Sequence, residues 1–283
     1  MRFLLTLLLA SLGFSHSAQA QAPDVPCRAA LEALSEGENA EVIAALEVCL
    51  DTEELTPGQE VLAYAELGAA LLEAQRYEDA LAAHAMAEAI AETQDFEILH
   101  PSFYRNRGIA LSETGDNERA IQDLLRADRA QPDEPLTLVS LGFAYRALDL
   151  DAEAVEVFDR LVRATPDWSG AWINRSSAFL DLGMTEAAVA DAERAVEIEP
   201  DSGSTLNMLC WTLIQDNRAQ TALPLCEQAV EADPEIGAFV HSLATALEAT
   251  GEARRARRLF SRAYSLSPDD PEIAADYERT RNP

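Results

Sequence analysis

Residues 135–168 read PLTLVSLGFAYRALDLDAEAVEVFDRLVRATPDW, and residues 169–202, SGAWINRSSAFLDLGMTEAAVADAERAVEIEPDS, repeat the same order of small, bulky and polar side chains. The beat extends in both directions. Pro132, Pro166, Pro200, Pro234 and Pro268 recur every 34 residues, each followed at once by an acid: Asp133, Asp167, Asp201, Glu235 and Asp269. Proline is 13 of 283 residues, so five hits at five preset positions have a chance probability on the order of 10⁻⁷. A fixed period of this length means a stack of like supersecondary units that bury their apolar faces against one another.

Units numbered from residues 101, 135, 169, 203 and 237 show what each position does. Position 20 is always alanine: Ala120, Ala154, Ala188, Ala222 and Ala256. Position 8 is small (Gly108, Gly142, Ser176, Cys210, Ala244), and position 24 is mostly bulky (Leu124, Phe158, Ala192, Cys226, Phe260). Positions 4, 7, 8 and 11 lie at helical spacing and form one apolar stripe; positions 20, 24 and 27 form a second. Two helices per unit follow, approaching closely where small residues meet. Position 15, between the stripes, reads Gly115, Asp149, Gly183, Asn217 and Gly251, the residue types that tolerate a left-handed helix end. The proline stops the second helix, and the acid after it suits the next helix N-terminus.

This pattern resembles the tetratricopeptide repeat family. Leu141-Gly142, Tyr145, Ala154, Phe158 and Pro166 match its template in one unit, Trp172, Ala188, Ala195 and Pro200 in the next, and Ala256, Phe260, Ala263 and Pro268 in the last. The resemblance implies an all-α fold, a right-handed α-solenoid of antiparallel helix pairs. Six repeats are expected, at 61–94, 101–134, 135–168, 169–202, 203–236 and 237–270. The earliest lacks its closing proline, and extra residues around Asp95–His100 imply a lengthened second helix or a loop. An N-terminal helical hairpin is expected within 21–55 and a polar capping helix within 271–283, since an exposed solenoid end needs one.

The N-terminus reads as an export signal. Met1-Arg2 precedes an apolar run from Phe3 to Phe14 and then Ala18-Gln19-Ala20, a basic start, a short core and a small-residue cleavage motif. The run falls short of the roughly 20 residues a membrane span needs. Residues 1–20 are therefore expected to be removed, and the chain to act in a bacterial periplasm or outside the cell. No stable membrane insertion is expected.

Net charge is −29, and every one of the 21 basic residues is arginine. Such a surface repels nucleic acid and anionic membranes and favours neutral or basic partners. Four cysteines in an exported chain suggest disulfides; proximity favours Cys27–Cys49 and Cys210–Cys226, with buried free thiols as the alternative. Cys210 and Cys226 occupy positions 8 and 24 of one unit, which face each other in the resembled fold.

Catalytic signatures are lacking: there is no GxSxG, P-loop, GxGxxG on a strand or EF-hand loop. There is no CxxC, and the histidines (His16, His84, His100, His241) are scattered without metal-ligand spacing. No cofactor, metal site or enzyme activity is expected. The sequon Asn174-Arg175-Ser176 lies in a predicted helix, where glycosylation is disfavoured.

The resemblance implies a concave groove lined by the first helix of each unit. Its residues here include Arg105, Asn106, Phe143, Arg146, Asn174, Asn207, Trp211 and His241. Asparagine amides can pair with a peptide backbone through donor and acceptor together, the two arginines can meet a carboxylate, and Phe143 and Trp211 can serve as anchors. The function implied is a non-enzymatic scaffold or adaptor for a protein or peptide partner, basic or bearing an exposed carboxylate. Two alternatives stay open: a small-ligand or cation-binding protein, and a cell-wall hydrolase.

Overall fold

The computed structural model describes residues 39–51, 55–94 and 100–281. The expected export signal, the first part of the expected N-terminal hairpin, and Cys27 with its expected partnership to Cys49 lie outside them. Within them the chain forms fourteen α-helices. It divides into two compact units, one ending at Ala144 and the other beginning at Tyr145.

The first unit holds α1 (Asn39–Leu50), α2 (Pro57–Glu73), α3 (Tyr77–Thr93), α4 (Pro101–Glu113), α5 (Asn117–Ala130) and most of α6 (Pro135–Arg146). α2 pairs with α3 and α4 with α5, while α1 packs on α2 and α3 on α4. Their core joins Val42, Ile43 and Leu46 to Leu67, Leu71, Ala83 and Ala110. α3 runs for 17 residues, against 14 in α5.

The second unit holds α7 (Asp151–Ala164), α8 (Ser169–Asp181), α9 (Thr185–Ile198), α10 (Gly203–Gln215), α11 (Ala219–Ala232), α12 (Gly237–Ala249), α13 (Ala253–Leu266) and α14 (Pro271–Arg281). α8–α9, α10–α11 and α12–α13 are antiparallel hairpins stacked in sequence order, with α14 against α13. The fold is the all-α solenoid of helix pairs that the repeat predicts.

Each hairpin turns in one way. Gly115, Asp149, Gly183, Asn217 and Gly251 all take positive φ, between 56° and 89°. Gln75 does so as well, at 59°, and it holds position 15 of the earliest repeat. In every case the next residue donates its backbone N–H to the carbonyl five residues back, as Met184 does to Phe179 and Arg218 to Leu213. This is the Schellman closure, which satisfies carbonyls left over at the helix end. At the other end, α5, α7, α9, α11 and α13 each stop two residues before the periodic proline, because the residue preceding proline is driven out of the helical region. The acid after each proline sits just outside the next helix. At α6 and α14 the cap comes one residue later: Glu134 accepts from the Thr137 N–H, and Asp270 from those of Glu272 and Ile273.

The alanine at position 20 is buried in all six hairpins, from Ala80 to Ala256. A small side chain there lets the two helices of a hairpin approach closely. Positions 8 and 24 then fill one slot between them. A Cβ added to Gly68 would stand 2.6 Å from the His84 ring, and one on Gly108 would stand 2.8 Å from Leu124 Cγ. In α10–α11 the same slot holds the disulfide Cys210–Cys226, whose Cα atoms are 5.3 Å apart.

Candidate functional site

Within the second unit, successive first helices touch: α8 meets α10, and α10 meets α12. Successive second helices, α9, α11 and α13, make no comparable contact among the described residues. A stack that is tight on one layer and spread on the other curves toward the tight layer. The first helices therefore form the inner layer, and Asn174, Asn207, Trp211 and His241 belong to first helices of this unit.

Asn174 on α8 and Asn207 and Trp211 on α10 are half-buried. Asn207 differs from the others in one respect: its side-chain carbonyl oxygen is buried and has no hydrogen-bond partner among the described residues. An orphaned acceptor of this kind costs about 1–3 kcal/mol. Trp211 leans on His241, with ring centroids 6.0 Å apart.

His241 is not open to a partner. It is 5% exposed; its ring packs 5.6 Å from Phe260, and Nε2 lies 2.9 Å from Asp276 Oδ2 on α14. Asp276 of the capping helix and Phe260 enclose the ring and make His241 part of the core. Burial pushes the Asp276 carboxyl up, but the bonds from His241 and Arg279 outweigh it and hold the group below the usual carboxylate range.

The two arginines offered as positive docking points are already partnered. Arg146 Nε donates to Asp181 Oδ2 at 2.7 Å. In the first unit Arg105 donates to the Asn106 side chain and lies 3.7 Å from Glu134. A ligand carboxylate would have to displace an acid at either. Phe143, also in the first unit, is 44% exposed.

One arrangement escaped the sequence reading. Arg107 and Arg175 both occupy position 7, where other units have leucine, and Asp123 and Asp191 both occupy position 23. Arg107 bonds Asp123 through Nε and Nη2, at 2.6 and 3.0 Å. Arg175 bonds Asp191 in the same way, at 2.7 and 2.9 Å. Each guanidinium also holds a second acid, Glu88 or Asp159, and lies over the aromatic at position 4, Tyr104 or Trp172. Burial works against the charge on Arg107, yet its carboxylate bonds hold it ionised. The signal was present in the sequence as the shared 16-residue spacing. Close by, Ser176 is fully buried and donates to the Ala188 carbonyl.

Two family models described as tetratricopeptide repeat match the chain, over residues 81–135 and 167–278. The chain belongs to the tetratricopeptide repeat family. Among solved structures, a tetratricopeptide repeat protein from Parabacteroides merdae superposes with a TM-score of 0.72 at 15% identity, covering 91% of this chain and 98% of that one. A thermophilic TPR protein of Thermus thermophilus superposes with a TM-score of 0.56 at 20% identity, covering 64% of this chain and 98% of that one. These likenesses share the fold. No curated protein matches the chain. Tetratricopeptide repeat proteins are in general non-enzymatic scaffolds that bind protein partners. No helix among the described residues is long and apolar enough to cross a membrane.

Proposed function

We propose that the chain is a non-enzymatic scaffold of the cell envelope that takes up a segment of a partner protein along the inner face of its second unit. The observation that carries this reading is Asn207. It lies one turn before the half-buried Trp211 on α10, which packs against the α8 that carries Asn174, and its carbonyl lacks a donor. Turned outward, this half-buried side chain would accept from a peptide N–H, with Trp211 offering a flat apolar wall for a side chain beside it. Position 5 in the two preceding repeats is Val139 and Ile173, so the fold does not need an amide here. The paired state of Arg146 makes backbone recognition, rather than capture of a carboxylate, the main interaction on this face. The expected export signal at residues 1–20 and the disulfide-bonded hairpin support an envelope setting.

The test is photocrosslinking in the native host. A crosslinking amino acid in place of Trp211 is expected to give a discrete adduct that mass spectrometry can identify. The same group in place of Glu193, exposed on α9, is expected to give none. Equal labelling from both positions, or none from 211, would overturn the reading.

A further inference from the structure

We propose that the outer face of α13 is a second docking surface, one that binds a carboxylate-rich segment of a partner protein. In a chain of net charge −29, five arginines fall between residues 254 and 262, with no acid from Ala253 to Pro268. Arg254, Arg257 and Arg258 are exposed, share one helical face, and make no ion pair or hydrogen bond among the described residues. Their neighbours differ. Arg255 is tied to Glu252 and Glu227, and Arg262 donates to the Pro234 carbonyl. Two arginines thus bind the stack together while three point away from it.

The three are placed against the interests of the helix. Cations in a first turn oppose the helix dipole, and arginines three and four apart repel one another. Four of the other five second helices, α3, α5, α7 and α9, carry an acid in the first turn, and α11 has neither acid nor arginine there. Position 18 is Glu118 and Glu186 where this unit has Arg254, and position 21 is Val155, Val189 and Leu223 where it has Arg257. An anion laid along α13 would relieve both penalties, so the local field is arranged for one.

Guanidinium groups suit carboxylates, and the rest of the surface narrows the choice. A membrane-surface helix needs large apolar side chains beside its cations, and no large hydrophobic of α13 is exposed. A long polyanion such as nucleic acid would meet the repulsion of the whole acidic chain, whereas a short acidic segment feels mainly the charges within a Debye length, about 8–10 Å. This surface lies on the second-helix layer, so it stands or falls independently of the inner face.

The test uses the full chain and a fluorescent oligoglutamate peptide, with oligoglutamine of equal length, phosphatidylglycerol vesicles and a short DNA duplex in parallel. Saturable binding of oligoglutamate that weakens with added salt is expected, with about tenfold loss in the triple variant R254E/R257Q/R258Q. That variant removes like-charge contacts, so its Tm is expected to hold or rise. The inner-face variant N207I is expected to bind oligoglutamate as the parent does. Absence of oligoglutamate binding, or binding unchanged in the triple variant, would overturn the proposal. Preferential binding of vesicles or DNA would overturn it too, as would a salt-sensitive dimer lost in the triple variant, which would make a second copy the occupant.

Discussion

At the scale of single residues, two side chains are held in states the fold would not choose for stability. Asn207 buries an acceptor without a donor. Replacing it with isoleucine, the residue at position 5 one repeat earlier, is expected to raise stability by about 1 kcal/mol while weakening partner capture. Urea unfolding and the crosslinking yield read the two effects, and a stability loss would count against the assignment. His84 is the other. It is fully buried at position 24, with neither ring nitrogen hydrogen-bonded and the ring 4.9 Å from Phe103. Burial, reinforced by Arg107, pushes its pKa from 6.5 down to about 4. The unfolded chain therefore binds the proton more readily than the folded one. The stability tied to neutral His84 is present above pH 6.5 and drains away as pH falls toward 4, by roughly 3 kcal/mol in all. His84→Phe places there the residue that positions 158 and 260 already use. The difference in urea stability between variant and parent should grow across that window; a constant difference would contradict the account.

At the scale of helices, the Arg–Asp ties show how repeats are told apart. Positions 7 and 23 carry Leu141 with Val157, Leu209 with Leu225 and Leu243 with Leu259, but Arg107 with Asp123 and Arg175 with Asp191. Removing one member of such a buried pair strands the other. Arg107→Leu is expected to cost about 3–5 kcal/mol, whereas R107L/D123V, which installs the apolar pair of a sibling repeat, should recover most of it. Thermal unfolding of the two variants decides, and equal losses would show that the tie is not the main contributor. The same scale shows what the sequence could reveal. Turns at Gly115, Asp149, Gly183, Asn217 and Gly251 were legible because those residue types tolerate positive φ. Gln75 takes the same conformation without announcing it. The close approach of two helices at the small residues of positions 8 and 20 was legible from size alone. The Arg–Asp ties were not, because a template that expects leucine reads an arginine as a deviation and not as half of a pair. His241 was assigned to the groove by its helix position, but the position says nothing of α14 covering it.

At the scale of the whole molecule, stability within each unit is spread along hairpins that meet mainly their neighbours. A clamp inside one hairpin should then act locally. Closing the 16-residue loop between Cys210 and Cys226 is worth about 3 kcal/mol. Reduction is expected to lower hydrogen-exchange protection in α10 and α11 while leaving α4 and α5 as they were; uniform loss along the chain would contradict this. The clamp also bears on how the protein is made. Both sulfurs belong to one helix–turn–helix, and the nearer cysteine along the chain is the correct partner. Oxidation therefore needs nothing synthesised after Cys226, and a wrong bond to a distant thiol would have to outrun a neighbour already delivered by the turn at Asn217. This hairpin can be sealed as it emerges, without a later round of disulfide reshuffling.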